Sequence, residues 1–179
     1  MSRQRLYPDE PAGPFPTPPT TLTDREDRDI EIRAYDGSDE EFEALVAMYD
    51  DFDPADRAQG IPPTGDRRIR EWLDRVLGGE CHNLVAWHDE AAAGHTTLVP
   101  DETDYELAIF VHQTYQEAGI GTTLLEHLLG YGASRGVERV WLTVERWNKP
   151  AVSLYHKVGF ETCNAESFEL EMSLLLDGD

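Results

Sequence analysis

The segment Gln116-Glu117-Ala118-Gly119-Ile120-Gly121 lies between an apolar run ending at Val111 and a helical pattern beginning at Ile120. Two glycines placed where an extended strand gives way to a helix leave backbone N–H groups uncovered by side chains and open to a ligand. No Ser, Thr, Asp or Asn stands at the expected N-cap of that helix, so its first N–H groups lack a side-chain acceptor. With the helix dipole they suit an anion. The segment is not a P-loop, because no Gly-Lys-Ser/Thr follows, and it lacks the third glycine of a dinucleotide fingerprint. A tight turn that binds nothing is the alternative reading of two glycines alone. Glu106 is the second chemical candidate, a carboxylate among apolar neighbours whose partial burial would give it the raised pKa of a general base. The third is Tyr155, about one turn into a short helix that follows a buried strand.

The elements that must position these residues are legible from periodicity. Residues 105–111 read as a strand, with Tyr105, Leu107, Ile109 and Val111 on one face and Glu106, Ala108 and Phe110 on the other. Strands over 83–87 and 92–99 precede it, with His88-Asp89-Glu90 and Pro100-Asp101-Glu102 as turns. A helix runs from about Gly119 to Ser134 on Ile120, Leu124, Leu125, Leu128 and Leu129. Gly130 and Gly132 weaken it by about 1 kcal/mol each relative to alanine. The continuous apolar run 140–144 is the pattern of a strand buried on both faces. The last helix opens at Asn148, tolerates Pro150 in its first turn and stops at Gly159. Earlier in the chain, a hairpin is expected over 20–33, a helix capped by Ser38 and Glu41 carries Phe42, Leu45, Val46 and Tyr49, and a second helix carries Ile69, Trp72, Leu73, Val76 and Leu77. Residues 51–64, with Pro54, Gly60, Pro62 and Pro63, form a loop long enough to expect function in it. Short strands at 161–163 and 168–175 close the chain. The whole describes a mixed, mostly antiparallel α/β sheet of six to seven strands, flanked by about four helices.

The chain has 179 residues, the size of one domain with a real core. Residues 1–19 hold six of the eleven prolines and form either a flexible arm or an extended strap, leaving 20–179 as the single domain. The formal net charge is -21, with 13 Arg and only Lys149 and Lys157 as lysines, which excludes non-specific attraction to nucleic acid or anionic membrane. Acidic residues are scattered through nearly every segment, the surface expected of a salt-adapted cytoplasmic protein. Cys81 and Cys163 are isolated, so neither a disulfide framework nor a cysteine-based metal site is indicated. No run approaches the ~20 apolar residues of a membrane span, and the N-terminus lacks the apolar core of a signal peptide, so a cytoplasmic location is expected.

Gln116, Gly119 and Gly121, taken with Asn148, Ala151, Leu154, Tyr155, Gly159 and Phe160, resemble the two hallmark motifs of the GNAT N-acyltransferase superfamily, Gln/Arg-x-x-Gly-x-Gly/Ala and Asn-x-x-Ala-x-x-Leu-Tyr-x-x-x-Gly-Phe. The resemblance spans roughly residues 30–175. It implies an N-acetyltransferase that uses acetyl-CoA and no metal, and moves the acetyl group to a primary amine by direct attack through a tetrahedral intermediate. The acceptor would be a small molecule or a peptide. The strands at 105–111 and 140–145 would splay, and the pantetheine arm would pair with the open edge at Ile109, Phe110 and Val111. Backbone amides of Gln116, Glu117, Ala118, Gly119, Ile120, Gly121 and Thr122 would hold the pyrophosphate, with Asn148, Ala151 and Tyr155 along the arm. Glu117 and Ala118 depart from the family pattern, which often places a basic residue or glycine there, and this puts coenzyme affinity at low salt in doubt. Val111 N–H would contact the oxyanion. Tyr155, with an ordinary pKa of about 10, would donate the proton to the leaving thiolate. Glu106 is the expected base, with Glu145 and His112 as rivals. Asn148 either contacts the pantetheine or caps its helix. The alternative function is a non-catalytic acyl-CoA-binding or sensing module, and dimerisation, common in the family, is left open.

Overall fold

Alternating apolar residues on eight extended segments, with helical apolar stripes between them, produce one sheet with helices on both faces. The computed structural model describes residues 4–57, 60–166 and 168–177. In chain order the strands and helices are β1 (Thr20–Thr23), β2 (Asp29–Ala34), α1 (Asp39–Asp50), α2 (Asp66–Val76), β3 (His82–His88), β4 (Ala91–Asp101), β5 (Asp104–Val111), α3 (Ile120–Ser134), β6 (Arg139–Glu145), α4 (Lys149–Val158), β7 (Glu161–Ala165) and β8 (Glu169–Leu175). The sheet order is β1-β2-β3-β4-β5-β6-β8-β7, antiparallel except for the β5–β6 pair. Eight strands stand where six to seven were expected, because the short pieces β1 and β7 both pair at the edges.

Each helix stripe selects its face. Ile69, Trp72 and Leu73 of α2 are buried with Leu45, Val46 and Tyr49 of α1 against Val85 and Trp87. On the opposite face Leu124, Leu125, Leu128 and Leu129 of α3 pack with Tyr155, Val158 and Phe160 against Ile32, Leu84, Leu107 and Val140. Burying leucine side chains of this kind contributes roughly 1.5–3 kcal/mol each, the main force fixing α3 on the sheet. Ser38 Oγ accepts from Glu41 N at 3.2 Å, the expected cap. The Glu41 carboxylate instead meets Arg33 and the backbone N of Asp36.

Residues 4–19 lie against the domain in extended form: Ala12 N donates to Leu175 O at 2.8 Å, and Ser173 Oγ donates to Leu6 O at 2.7 Å. Gly130, costly in a helix, has its reason here, since a Cβ at that position would overlap the Pro16 carbonyl oxygen. Arg5 stacks 3.7 Å from the Trp141 ring centroid and pairs with Glu171 at 2.8 Å.

Candidate active site

The site begins where two strands part. β5 and β6 are in register only at Tyr105↔Val140 and Glu106↔Trp141, after which they diverge. Along β5, Val111 stands opposite Gly94 of β4, and the next residue, His112, donates its N–H to Ala93 O at 2.9 Å. Antiparallel ladders alternate hydrogen-bonded and non-hydrogen-bonded pairs, so Phe110 and Ala108 bond to β4 while Leu107, Ile109 and Val111 turn their N–H and C=O groups away from it. Gln116 confirms the direction, since its Nε2 reaches Val111 O at 2.9 Å from outside the sheet. Leu107 N–H closes the last pairing with β6 at Trp141, and the outward amides of Ile109 and Val111 beyond it face the gap. A cleft of about 230 Å³ fills that gap, lined by Glu106, Ile109, Phe110, Thr143, Glu145, Asn148, Ala151 and Tyr155 among others. The splay between 105–111 and 140–145 is thus present.

At the mouth of the gap, the segment 116–121 turns into α3. Gly119 is the N-cap at φ 93, a left-handed conformation natural to glycine, and no side chain caps the helix. Glu117 also has positive φ, at 58, and is exposed, while Ala118 is buried. A Cβ on Gly121 would lie at an ordinary 3.8 Å from Leu154 and Val111, so the protein's own packing does not require glycine there. What the glycine leaves is approachable backbone at the N-terminus of a 15-residue helix.

Tyr155 is 8% exposed, its ring tilted against Phe160 with centroids 5.9 Å apart. Its hydroxyl makes no hydrogen bond among the described residues, and burial pushes its pKa up to about 12. Glu106 reaches the same cleft from β5, half-buried; burial raises its carboxyl above the ordinary range, Asp101 adds to the rise and Arg5 opposes it. Glu145 also lines the cleft, opposite Glu169 of β8. His112 does not. Its Nε2 donates to Asp51 at 2.9 Å while its Nδ1 accepts from Thr114 N at 3.2 Å, so both ring nitrogens are engaged on the α1 side. Asn148 accepts from Ala151 N at 3.4 Å and caps α4 while also lining the cleft. Gly119, Ile120, Gly121 and Thr122 belong to the helix-opening segment and not to the cleft walls.

Three features depend on contacts that no local pattern in the sequence announces. Gln116 bonds Asp56 at 2.9 Å, and Gln113 bonds the backbone of Asp51 and Asp53, stapling the 51–57 loop to the segment before α3. Only the length of that loop hinted at a role, and Asp56 and Ile61 do line the cleft. A fully buried polar chain runs from Tyr49 Oη to His95 Nδ1 at 2.6 Å and from His95 Nε2 to Asn83 Oδ1 at 2.7 Å. The third is the contact of Arg25 with the backbone of Glu117 and Ala118. Among the described residues no cluster of three His, Cys, Asp or Glu side chains could hold a metal ion.

Comparison with known proteins gives the same architecture. Over 70 residues the chain is 41% identical to the ribosomal protein bS18 alanine N-acetyltransferase of Escherichia coli K12, covering 39% of this chain and 47% of that protein. The chain thus spans about half the length of the curated relatives it matches. Among solved structures, the GNAT domain of S. lividans PAT superposes with a TM-score of 0.75 at 17% identity, covering 88% of this chain and 97% of that one. The ribosomal L7/L12 α-N-protein acetyltransferase RimL, solved with coenzyme A, superposes with a TM-score of 0.68 at 16% identity, covering 84% and 96%. The sequence model of the acetyltransferase (GNAT) family matches residues 43–160, about two-thirds of the chain and the whole of the cleft's motif-bearing segments. The chain belongs to the GNAT acetyltransferase family.

Proposed function

We propose that the protein is an N-acetyltransferase whose domain, residues 20–179, transfers the acetyl group of acetyl-CoA to a primary amine. The observation that carries this reading is the pair of outward-facing β5 amides at Ile109 and Val111, left beyond the last β5–β6 pairing, beside a cleft that also holds the hydroxyl of Tyr155, unpartnered among the described residues. The amide-bearing pantetheine arm would pair with that edge at Ile109, Phe110 and Val111 as an added strand. The pyrophosphate would rest on the amides from Gln116, Glu117 and Ala118 through Gly119, Ile120, Gly121 and Thr122, with Asn148 and Ala151 along the arm. No metal takes part in this scheme.

In the reaction, the neutral amine nitrogen attacks the thioester carbonyl carbon. A C–N bond forms, the carbonyl oxygen becomes an oxyanion at Val111 N–H, and collapse breaks the C–S bond. Tyr155 supplies its hydroxyl proton to the departing sulfur, and Glu106, directly or through water, takes the proton released by the amine. The raised Tyr155 pKa keeps the donor protonated at every working pH. Burial raises the Glu106 pKa, which makes it a stronger base than an ordinary carboxylate.

Among the described residues the cleft walls present Asp56, Glu106, Glu145 and Glu169 and no Lys or Arg, which favours a cationic acceptor such as a polyamine or a basic peptide N-terminus. Two of the proteins compared above are by name acetyltransferases of ribosomal proteins, and a peptide acceptor is in keeping with the open cleft. A charge of -21 spread over the chain is the basis for reading a high-salt cytoplasm as its working medium. A thermal titration in high salt tests the assignment. Saturating acetyl-CoA should raise Tm, and an unmoved Tm removes the coenzyme reading. Binding without any acetylated amine in an acceptor screen would favour the non-catalytic binding module.

A further inference from the structure

The segment that opens α3 is held from behind by the turn between β1 and β2. Asp24, with its side chain fully buried, locks that turn by accepting from Glu26 N at 2.9 Å, Arg28 N at 2.9 Å and Arg28 Nε at 2.8 Å. The locked turn then reaches across to three carbonyls of residues 114–118. Arg28 Nη1 donates to Thr114 O at 3.0 Å, its guanidinium lying 4.4 Å from the Tyr115 ring centroid. Arg25 Nη1 donates to Glu117 O at 3.2 Å, and Arg25 N donates to Ala118 O at 3.1 Å.

In a planar trans peptide the C=O of one residue and the N–H of the next point in opposite directions. Drawing the carbonyls of Glu117 and Ala118 toward the β1–β2 turn therefore aims the N–H groups of Ala118 and Gly119 the other way, out of the turn. The contact also holds Glu117 at φ 58, a left-handed conformation that a residue with a Cβ rarely adopts. The segment has no basic side chain of its own, and Arg25 brings a fixed positive charge beside it in a chain of net charge -21.

We propose that Arg25 is a positioning residue for the coenzyme: it presets the amides of Ala118 and Gly119 to receive the pyrophosphate, acting through the backbone of Glu117. This rests on the acetyl-CoA reading above. Preset donors spare the coenzyme the cost of ordering the segment, so the effect of losing Arg25 falls on coenzyme affinity and spares the chemical step.

The test compares Arg25→Ala and Arg25→Lys with the parent, using acetyl-CoA and acetyl-pantetheine, which lacks the pyrophosphate, as acetyl donors. Arg25→Ala should raise KM for acetyl-CoA roughly tenfold, the scale of one lost charge-assisted hydrogen bond, with kcat little changed. KM for acetyl-pantetheine should stay at the parent value. Arg25→Lys should recover most of the loss, since only one guanidinium nitrogen is in use at Glu117 O. An unchanged KM for acetyl-CoA in Arg25→Ala, or an equal loss with both donors, would overturn the proposal. Failure of the coenzyme reading itself would appear separately, as no acetyl-CoA binding by the parent protein.

Discussion

Replacing Tyr155 by Phe should make the protein slightly more stable and nearly inactive. The ring is 8% exposed and packs against Phe160, contacts that Phe reproduces. The hydroxyl has no hydrogen-bond partner among the described residues, so its removal breaks nothing and relieves the desolvation that pushes its pKa to about 12. Buried unpaired hydroxyls cost about 1–3 kcal/mol, and one that faces a cleft belongs at the lower end. A gain of about 1 kcal/mol in a domain of this size raises Tm by roughly 2–4 °C. Acetyl-CoA should shift Tm of parent and variant alike, because the hydroxyl meets the sulfur only as it departs. Turnover should fall by about 10² or more, the scale of a lost general acid. Differential scanning calorimetry with and without acetyl-CoA, beside steady-state kinetics, reads all three. A variant that melts several degrees lower would mean the hydroxyl is bonded within the fold, and a variant with parental turnover would remove Tyr155 from the chemistry.

The remaining expectations concern the base, the helix cap and the buried histidine. Glu106 must be ionised to accept a proton, so kcat/KM should climb with pH through an apparent pKa above the usual carboxylate value, and Glu106→Gln should lose that limb together with most of the rate. Persistence of the limb in the variant would pass the role to Glu145 or to the amine itself. Gly119→Ala places a Cβ in open space, with no atom of the described residues within 4 Å apart from its chain neighbours, but at φ 93, so it should cost about 1–2 kcal/mol of stability and weaken acetyl-CoA binding more than tenfold, as calorimetric titration would show. Retained affinity would argue that the anion sits elsewhere. For His95, burial lowers the folded pKa from 6.5 to about 3. The unfolded chain therefore binds the proton first. Stability from this group is complete above about pH 6.5 and is lost as pH falls toward 3, by up to about 5 kcal/mol. Denaturant unfolding at stepped pH should show this loss in the parent and lack it in His95→Gln.

The order and type of the helices and central strands were legible because each carries its own periodicity. The leucine face of α3 and the alternation of β5 fix how those elements sit before any partner is known. The segment 116–121 and Tyr155 were legible because their motifs are local in sequence. The rest depends on contacts between distant residues. Gly130 reads as a weak helix position until the Pro16 carbonyl is seen crossing it, and Arg25 reads as one exposed charge in a turn until it meets Glu117, 92 residues away. His112 was a reasonable rival base beside Val111, but its two ring nitrogens are taken by Asp51 and Thr114, which no spacing in the sequence announces. The Tyr49–His95–Asn83 chain joins α1 to β3 and β4, and its members look like unrelated polar residues in apolar runs.

Acetyl transfer from coenzyme thiol to amine in the gap between β5 and β6 can be measured by its two products. The most direct measurement is to incubate the protein in high salt with acetyl-CoA and a panel of polyamines and basic, neutral and acidic peptides. Free thiol and acetylated amine are then quantified together. Equal amounts of both, dependence on Tyr155 and preference for cationic acceptors are expected. Thiol release with no acetylated amine, or acetylation that survives Tyr155→Phe at the parental rate, would contradict this mechanism.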